Sequence, residues 1–294
     1  MNQNILFQEY ELEGVIGQGS FATVYKARNI FTNQTVAIKA IDLKKANSSF
    51  SNEVEILEQL EQTENIINLI EYFETTEKLY LVLEYCRTDM FDAIVTDGMP
   101  LDHPILFDWF LQVCTAIERM HQMNLYHRDI KLENILISEN NQATLTDFGL
   151  ATSSKYSIHK VGTEAYMAPE CFNMSNRSKL SQTFSSEKND VWALGVMLIL
   201  ILAREHPWET PSYFDPQFRF HFFSFQDVDT FRQEFGFSNE LCLILRQVFN
   251  LDPFQRPTAT EFKQMIVNLQ YVYHVDTCYQ PSLIPSDYRQ AIQA

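Results

Sequence analysis

The run His127-Arg128-Asp129 is followed by Asn134, and thirteen residues after that by Asp147-Phe148-Gly149. Upstream stands Lys39, in Val36-Ala37-Ile38-Lys39. These side chains divide a chemical task between them. An aspartate such as Asp129 accepts the proton of a hydroxyl. Asn134 and Asp147 offer oxygens that suit a hard cation such as Mg²⁺. Lys39 offers a point charge for the α- and β-phosphates of a nucleotide. Together they are what phosphoryl transfer from Mg·ATP requires. One such motif arises easily by chance; the whole set, in this order within one domain, does not.

The elements that must hold them can be read from periodicity. Residues 10–40 alternate in the strand manner, punctuated by Gly17, Gly19 and a turn at Thr32-Asn33, which predicts three strands. Asn52 to Leu60 carries Val54, Ile56, Leu57 and Leu60, a helical spacing. Leu79 to Glu84 reads as a short strand. Pro104 to Met123 has apolar residues at spacings of three and four, and further helical patterns cover 188–203, 238–250 and 258–270. Strands therefore dominate early and helices late. This predicts an α+β chain of two lobes, a small β-rich lobe over about 10–84 and a larger helical lobe over about 85–270, hinged near Tyr85-Cys86-Arg87. Residues 1–9 are expected as an N-terminal extension and 271–294 as a C-terminal tail. The Ser- and Asn-rich stretch Ser175 to Ser186 reads as a loop.

Bulk properties narrow the partners. The 294 residues suit two lobes, and 46% hydrophobic with 20% charged content is a globular profile. A formal charge of −16 argues against nucleic acid and against anionic membranes as partners. It permits attraction to basic peptides, although solubility alone explains it. The cysteines Cys86, Cys114, Cys171, Cys242 and Cys278 are scattered and odd in number, so neither a disulfide nor a zinc framework is expected. Reduced thiols fit the cytoplasm, with the nucleus as the alternative. The start shows no basic stretch followed by an apolar one, so no signal peptide is expected. The most apolar run, Val191 to Ala203, has 13 residues against the roughly 20 a membrane span needs, which favours a buried helix.

Around the chemical residues lie supporting motifs. Gly17-Gln18-Gly19-Ser20-Phe21-Ala22-Thr23-Val24 is a glycine loop between two expected strands, with Ala22 where a third glycine would stand. Small residues let backbone N–H groups approach phosphate. A dinucleotide-binding loop would open a helix, whereas Val24-Tyr25-Lys26-Ala27 continues as strand. Glu53 is the expected ion-pair partner of Lys39, with Glu55 as its competitor.

The motifs resemble the catalytic domain of eukaryotic protein kinases of the Ser/Thr type, over roughly residues 10–270. Ala168-Pro169-Glu170, Asp190-Val191-Trp192-Ala193-Leu194-Gly195 and Arg256 in Asp252-Pro253-Phe254-Gln255-Arg256-Pro257 agree with it. Tyr85 to Ile94, Val161 to Met167 and His206-Pro207-Trp208 are similar to fungal kinases of the nutrient- and meiosis-regulating group. The resemblance implies a bilobal fold with ATP and Mg²⁺ between the lobes. ATP would meet Ile16, Gly17, Gly19, Val24, Ala37, Leu83 and Leu136, and the backbones of Glu84 and Cys86. Lys39, positioned by Glu53, would hold its phosphates. Asn134 and Asp147 would ligate Mg²⁺, Lys131 would add charge near the γ-phosphate, and Asp129 would orient the acceptor hydroxyl. Thr163 would bond Asp129 and Lys131 and shape a peptide platform. Arg256 would be the buried partner of Glu170.

Two other classes remain open. One is an ATP-binding scaffold without transfer activity, disfavoured by the intact Asp129 and Asp147. The other is a small-molecule kinase, disfavoured by the complete segment from Gly162-Thr163 to Ala168-Pro169-Glu170. Protein substrates carrying Ser or Thr are the expected partners, with a monomer as the default state. Lys131 marks the Ser/Thr type and Leu150 goes with serine in related kinases. Asp89 and Glu133 stand where relatives place carboxylates for substrate arginines; a ribose contact is the alternative for Asp89, and Leu200 stands where a third carboxylate is often found. Counting back three from Gly162 gives His159 where relatives often carry a phosphorylated Thr. The activation loop is therefore expected to order either through His159 or Lys160 or through a phosphosite displaced to Ser157.

Overall fold

The computed structural model describes residues 5–44, 50–98, 105–172, 183–223 and 230–273. Cys278, Pro104, the tail beyond 273 and most of the expected loop at Ser175 to Ser186 lie outside the described residues.

The first lobe is one antiparallel sheet with a single helix. Its elements are β1 (Ile5–Phe7), β2 (Tyr10–Gln18), β3 (Ala22–Asn29), β4 (Thr35–Asp42), α1 (Phe50–Gln59), β5 (Leu69–Glu74) and β6 (Lys78–Glu84), and the strand order is β1-β2-β3-β4-β6-β5. The turn between β3 and β4 forms because the Asn29 side chain accepts the N–H groups of Phe31 and Thr32, while Asn33 takes a left-handed φ of 61°. Alternation along β4 then decides which side chain faces which way. Val36 and Ile38 join Tyr10, Ala27 and Val82 in a small outer cluster. Ala37 and Ile41 turn to the main core, and Lys39 between them faces the same side. The sheet starts earlier than the periodicity indicated. Ile5 pairs with Leu12 and Phe7 with Tyr10, so residues 5–7 belong to it rather than to an extension.

The second lobe holds β7 (Thr88–Asp89), α2 (Ile105–Gln122), β8 (Ile135–Ile137), β9 (Ala143–Leu145), β10 (Tyr156–Ser157), β11 (Phe184–Ser185), α3 (Ser186–Ala203), α4 (Pro216–Phe223), α5 (Thr230–Phe235), α6 (Asn239–Val248) and α7 (Ala259–Asn268). Strands β7, β8 and β9 form a small sheet that carries the loop of Asp129 on one side and Asp147 on the other. Helix α3 is apolar all round because it is buried all round, from Val191 to Leu202. The Ser185 hydroxyl caps its N-terminus by accepting the Lys188 N–H at 3.3 Å. Helix α7 begins with a reciprocal capping box between Thr258 and Glu261. Trp192 of α3 meets Trp208, Phe222 and Phe249 at ring distances of 4.9–5.9 Å, which binds α4 and α6 to it. Helices α4 and α5 were not evident from periodicity. Pro216-Gln217-Phe218-Arg219-Phe220-His221-Phe222-Phe223 is aromatic on both faces and α5 is only six residues long. Cys86, Cys114 and Cys171 are free thiols. Among the described residues no helix is long and apolar enough to cross a membrane.

One ion pair ties the segment that ends at Glu170 to this core. Arg256 grips Glu170 with both terminal nitrogens at 2.7 Å, gives its Nε to the Asn250 carbonyl and stacks on Trp192 at 4.7 Å. Arg256 is 3% exposed and the Glu170 side chain 9%, so removing the arginine would leave a largely covered carboxylate unpaired. Arg256→Ala is expected to lower unfolding stability by about 3–5 kcal/mol. Chemical denaturation of the two proteins measures this; a loss under about 1 kcal/mol, the range of a surface pair, would contradict it.

Candidate active site

The cleft between the lobes has a volume of about 460 Å³. Ile16, Gly17, Gly19, Val24, Ala37 and Lys39 line it from the sheet, and Leu83, Glu84 and Cys86 from the hinge. Asp89, Asp92, Glu133, Leu136, Thr146 and Asp147 line it from the second lobe. Every residue expected to enclose the base or to hold the α- and β-phosphates therefore borders one space, whereas Lys131 is not in its lining. The glycines are informative here. A Cβ on Gly17 would come no closer than 3.5 Å to Val24, and one on Gly19 no closer than 3.8 Å to the Ala22 carbonyl. Neither packing within the chain nor backbone conformation demands glycine at these positions. Both glycines line the cleft, where the lack of a side chain leaves room for a phosphate to approach the main chain.

On the cleft floor three charges meet. Lys39 Nζ lies 2.7 Å from Glu53 Oε1 and 2.8 Å from Asp147 Oδ1. Glu53 is 2% exposed whereas Glu55 points to solvent, so Glu53 is the partner. Burial alone would push the Lys39 ammonium down, but the charges of Glu53 and Asp147 outweigh it and raise its pKa above the usual lysine range. Burial likewise works to raise the Asp147 carboxyl; the Lys39 charge and hydrogen bond outweigh that and hold it below the usual carboxylate range. Asp147 has a φ of 65°, an uncommon conformation for a residue with a Cβ. Its side chain is thereby directed into the cleft to meet Lys39.

Across from this triad, the loop 127–134 is shaped by a buried carboxylate from α3. Asp190 is fully buried and accepts the main-chain N–H of His127 at 2.9 Å and of Arg128 at 2.8 Å. The His121 ring lies 3.0 Å from it. Arg128 has a φ of 67°, and these bonds hold that turn in place. Asp129 then projects into a full set of donors. Its Oδ1 accepts the Thr163 N–H at 2.9 Å and hydroxyl at 2.8 Å. Its Oδ2 lies 3.0 Å from Lys131 Nζ and 3.2 Å from Asn134 Nδ2. Lys131 also donates to the Thr163 hydroxyl at 3.1 Å. Gly162 permits the approach of Thr163. Its φ is +102°, and a Cβ there would lie 2.3 Å from the Arg128 carbonyl oxygen.

The donor set fits Mg²⁺. The amide nitrogen of Asn134 is engaged by the Asp129 carbonyl at 2.8 Å and by Oδ2, so its oxygen is what it presents. Asp147 adds a carboxylate. Among the described residues no three His, Cys, Asp or Glu side chains cluster to hold a metal unaided. Two oxygen ligands completed by phosphate and water are the usual magnesium arrangement. The sequence motifs contain Lys39, Glu53 and Asp147, which meet in one group, and Asp129, Asn134 and Thr163, which meet in another. They did not reveal that Asp190 orients the loop, nor that Thr146 accepts the His127 ring at 3.0 Å through its carbonyl. Both are contacts between distant segments with no local pattern.

A two-lobed molecule with this cleft, charge triad and hydroxyl-facing aspartate has the architecture of a phosphotransferase. The chain belongs to the protein kinase domain family, which it matches over residues 10–267. It is 31% identical over 274 residues to CBL-interacting protein kinase 10 of Oryza sativa subsp. japonica, covering 89% of this chain and 57% of that protein. It is 30% identical over 288 residues to the negative regulator of sexual conjugation and meiosis of Schizosaccharomyces pombe, covering 90% and 61%. CBL-interacting serine/threonine-protein kinase 10 of Arabidopsis thaliana is 30% identical over 245 residues, covering 74% and 49%. The chain thus spans about half to three-fifths of the length of these curated relatives. Fungal and plant relatives match equally well, so identity does not single out the fungal group.

The charge triad sets a pH dependence. The depressed Asp147 carboxyl contributes stability that is present above its unfolded pKa and is lost as pH falls through its folded pKa. The raised Lys39 contributes stability that is lost only as pH rises through its folded pKa. Both contributions are therefore in place at neutral pH. Lys39→Met is expected to lower the melting temperature at pH 7, and the gap from wild type should narrow below about pH 5. Thermal melts at several pH values test this; a constant gap from pH 7 to pH 3 would contradict it.

Proposed function

We propose that this chain is a Mg·ATP-dependent protein kinase that phosphorylates serine and, less well, threonine in protein substrates. The observation that carries the reading is the geometry of Asp129. Its carboxylate is held between Thr163, Lys131 and Asn134, beside a cleft in which Lys39 of the sheet meets Asp147 of the second lobe.

In this reading Val24, Ala37, Leu83 and Leu136 enclose an adenine, and the main chain at Glu84 and Cys86 bonds its edge. Lys39 takes the α- and β-phosphates. Asn134 and Asp147 would hold Mg²⁺, which would supply positive charge against that developing on the transferred group. The chain's own part is positioning. A carboxylate accepts at about four lone-pair sites, and the four donors on Asp129 fill them. Lys131 is the donor that a γ-phosphate would attract. Its departure would release Oδ2 for the hydroxyl of the incoming serine. Thr163 stays on Oδ1 and keeps the carboxylate oriented.

Substrate preference follows from the acidic rim. Asp89, Asp92 and Glu133 line the same wall of the cleft. Burial, then the charges of Asp92 and Glu133, raise the Asp89 carboxyl against the N–H it accepts from Asp92. An arginine placed there relieves that repulsion and gains bidentate geometry. A mild preference for arginine two or three residues before the serine is proposed on this basis. Leu200, which is 5% exposed in α3, contributes no third carboxylate. The setting proposed is the cytoplasm or nucleus, with protein substrates rather than nucleic acid or membrane as partners.

Radiolabelled phosphate transfer to a degenerate serine/threonine peptide library tests the reading. Asp147→Asn is expected to reduce turnover by about two orders of magnitude or more. Equal incorporation by that variant and wild type would rule out the mechanism and favour an ATP-binding scaffold. The library should show serine above threonine, and Asp89→Lys should weaken the arginine preference. Threonine equal to serine, or an arginine preference unmoved by the charge swap, would overturn those two assignments.

A further inference from the structure

Thr163 lies on the segment between Asp147 and Glu170, which has no α-helix of its own, only single 3₁₀ turns and a two-residue strand. Something must hold it against Asp129. The contacts that do so are all with neutral groups or ordinary side chains. Thr152 pairs with Tyr126 through two main-chain bonds of 2.8 and 2.9 Å. The Ser186 hydroxyl, fully buried, donates to the Ser154 carbonyl at 2.9 Å, and the Ser186 N–H donates to the Lys155 carbonyl at 2.9 Å. Lys155 reaches Glu187 at 3.0 Å. Tyr156 and Ser157 then pair as a strand with Ser185 and Phe184. Four consecutive residues of the segment are thus stitched to the entry of α3.

The Arg128 guanidinium closes the arrangement. Its Nε donates to the Leu150 carbonyl at 2.7 Å and a terminal nitrogen donates to the Ser157 hydroxyl at 3.3 Å. The Ser157 oxygen also accepts the His159 N–H at 3.1 Å. That hydroxyl is therefore the hub joining Arg128, next to Asp129, with the turn leading to Thr163. Lys160 completes the turn with Glu164 at 2.5 Å and lies over the Phe172 ring at 3.9 Å. Ser157 is 7% exposed and sits inside the strand pair, so a modifying enzyme would have to open that pair to reach it.

We infer that Ser157 and Ser186 are positioning residues whose neutral hydroxyls hold the peptide-binding segment in its working place, so that the chain is competent without phosphorylation of that segment. The inference rests on the kinase reading and adds its regulation. Arg128 finds in Ser157 and Leu150 the acceptors that an added phosphate would otherwise supply.

The experiment uses the full chain, treated with phosphatase and checked by intact mass, alongside Ser157→Ala, Ser157→Thr and Ser186→Ala. Two measurements are made: kinetics with a serine peptide, and the rate of trypsin cleavage after Lys155 and Lys160. The dephosphorylated wild type should keep activity within about twofold of the untreated protein. Ser157→Ala, and Ser186→Ala likewise, should raise the peptide KM or lower kcat by about tenfold, as loss of a hydrogen bond to a charged or buried partner allows. The KM for ATP should hold, and Ser157→Thr should restore both readouts. Cleavage at the two lysines should be slow in dephosphorylated wild type and about tenfold faster in the alanine variants. The inference is overturned if dephosphorylation abolishes activity and rephosphorylation restores it. Alanine variants that match wild type, or a threonine variant as impaired as alanine, overturn it equally. If even the untreated protein transfers no phosphate, the kinase reading fails, and the cleavage rates still decide whether the hydroxyls hold the segment.

Discussion

The Asp190 carboxylate is the constraint on which the catalytic loop depends. It is fully buried and accepts two main-chain N–H groups, with the His121 ring 3.0 Å away. Hydrogen bonds to a buried charge are stronger and more directional than those between neutral groups. The left-handed turn at Arg128 exists because those two N–H groups converge on one carboxylate. That turn aims Asp129 at Thr163 and aims the Arg128 side chain at the segment that carries Thr163. Asp190 belongs to α3, whose apolar surface is buried on every side. A helix buried on every side therefore carries the group that shapes the loop of Asp129.

The two lobes meet the site in different ways. The second lobe fixes Asp129 and Asn134 through dense, buried packing. The first lobe delivers Lys39 by simple strand alternation and steadies it with Glu53 from α1. Lys39 also contacts Asp147, so a single ammonium joins the sheet, the helix and the second lobe. Asn52 of α1 adds a bond of 2.8 Å to the Ala151 carbonyl, beyond Asp147. The position of α1 is thereby coupled to the start of the segment that carries Thr163.

What the sequence made legible was local. Lys39, Asp129, Asn134 and Asp147 sit in short motifs whose chemistry can be read from residue type. The two-lobe division followed from a change in hydrophobic period, while the choice between Glu53 and Glu55 rests on burial, which the structure supplies. Long-range partnerships left no local trace. The hold of Asp190 on residues sixty positions away, the pairing of Ser157 with Phe184 and the near-contact of Gly162 with the Arg128 carbonyl are products of tertiary packing. Helices α4 and α5 were missed for a different reason. Their aromatic residues serve a core on several sides at once, which erases the one-sided stripe that betrays a surface helix. Strand β1 is three residues long, too short for alternation to register.

The dependence on Asp190 can be measured with one substitution. Asp190→Asn keeps the size of the side chain and removes the charge that gathers the two N–H groups. Binding of a non-hydrolysable ATP analogue, which involves the sheet and hinge, should change by no more than about threefold, while kcat should fall by about a hundredfold because Asp129 is no longer held in line. A variant with unchanged kcat, or one that loses turnover and nucleotide binding together, would contradict the view that this carboxylate acts by aiming Asp129.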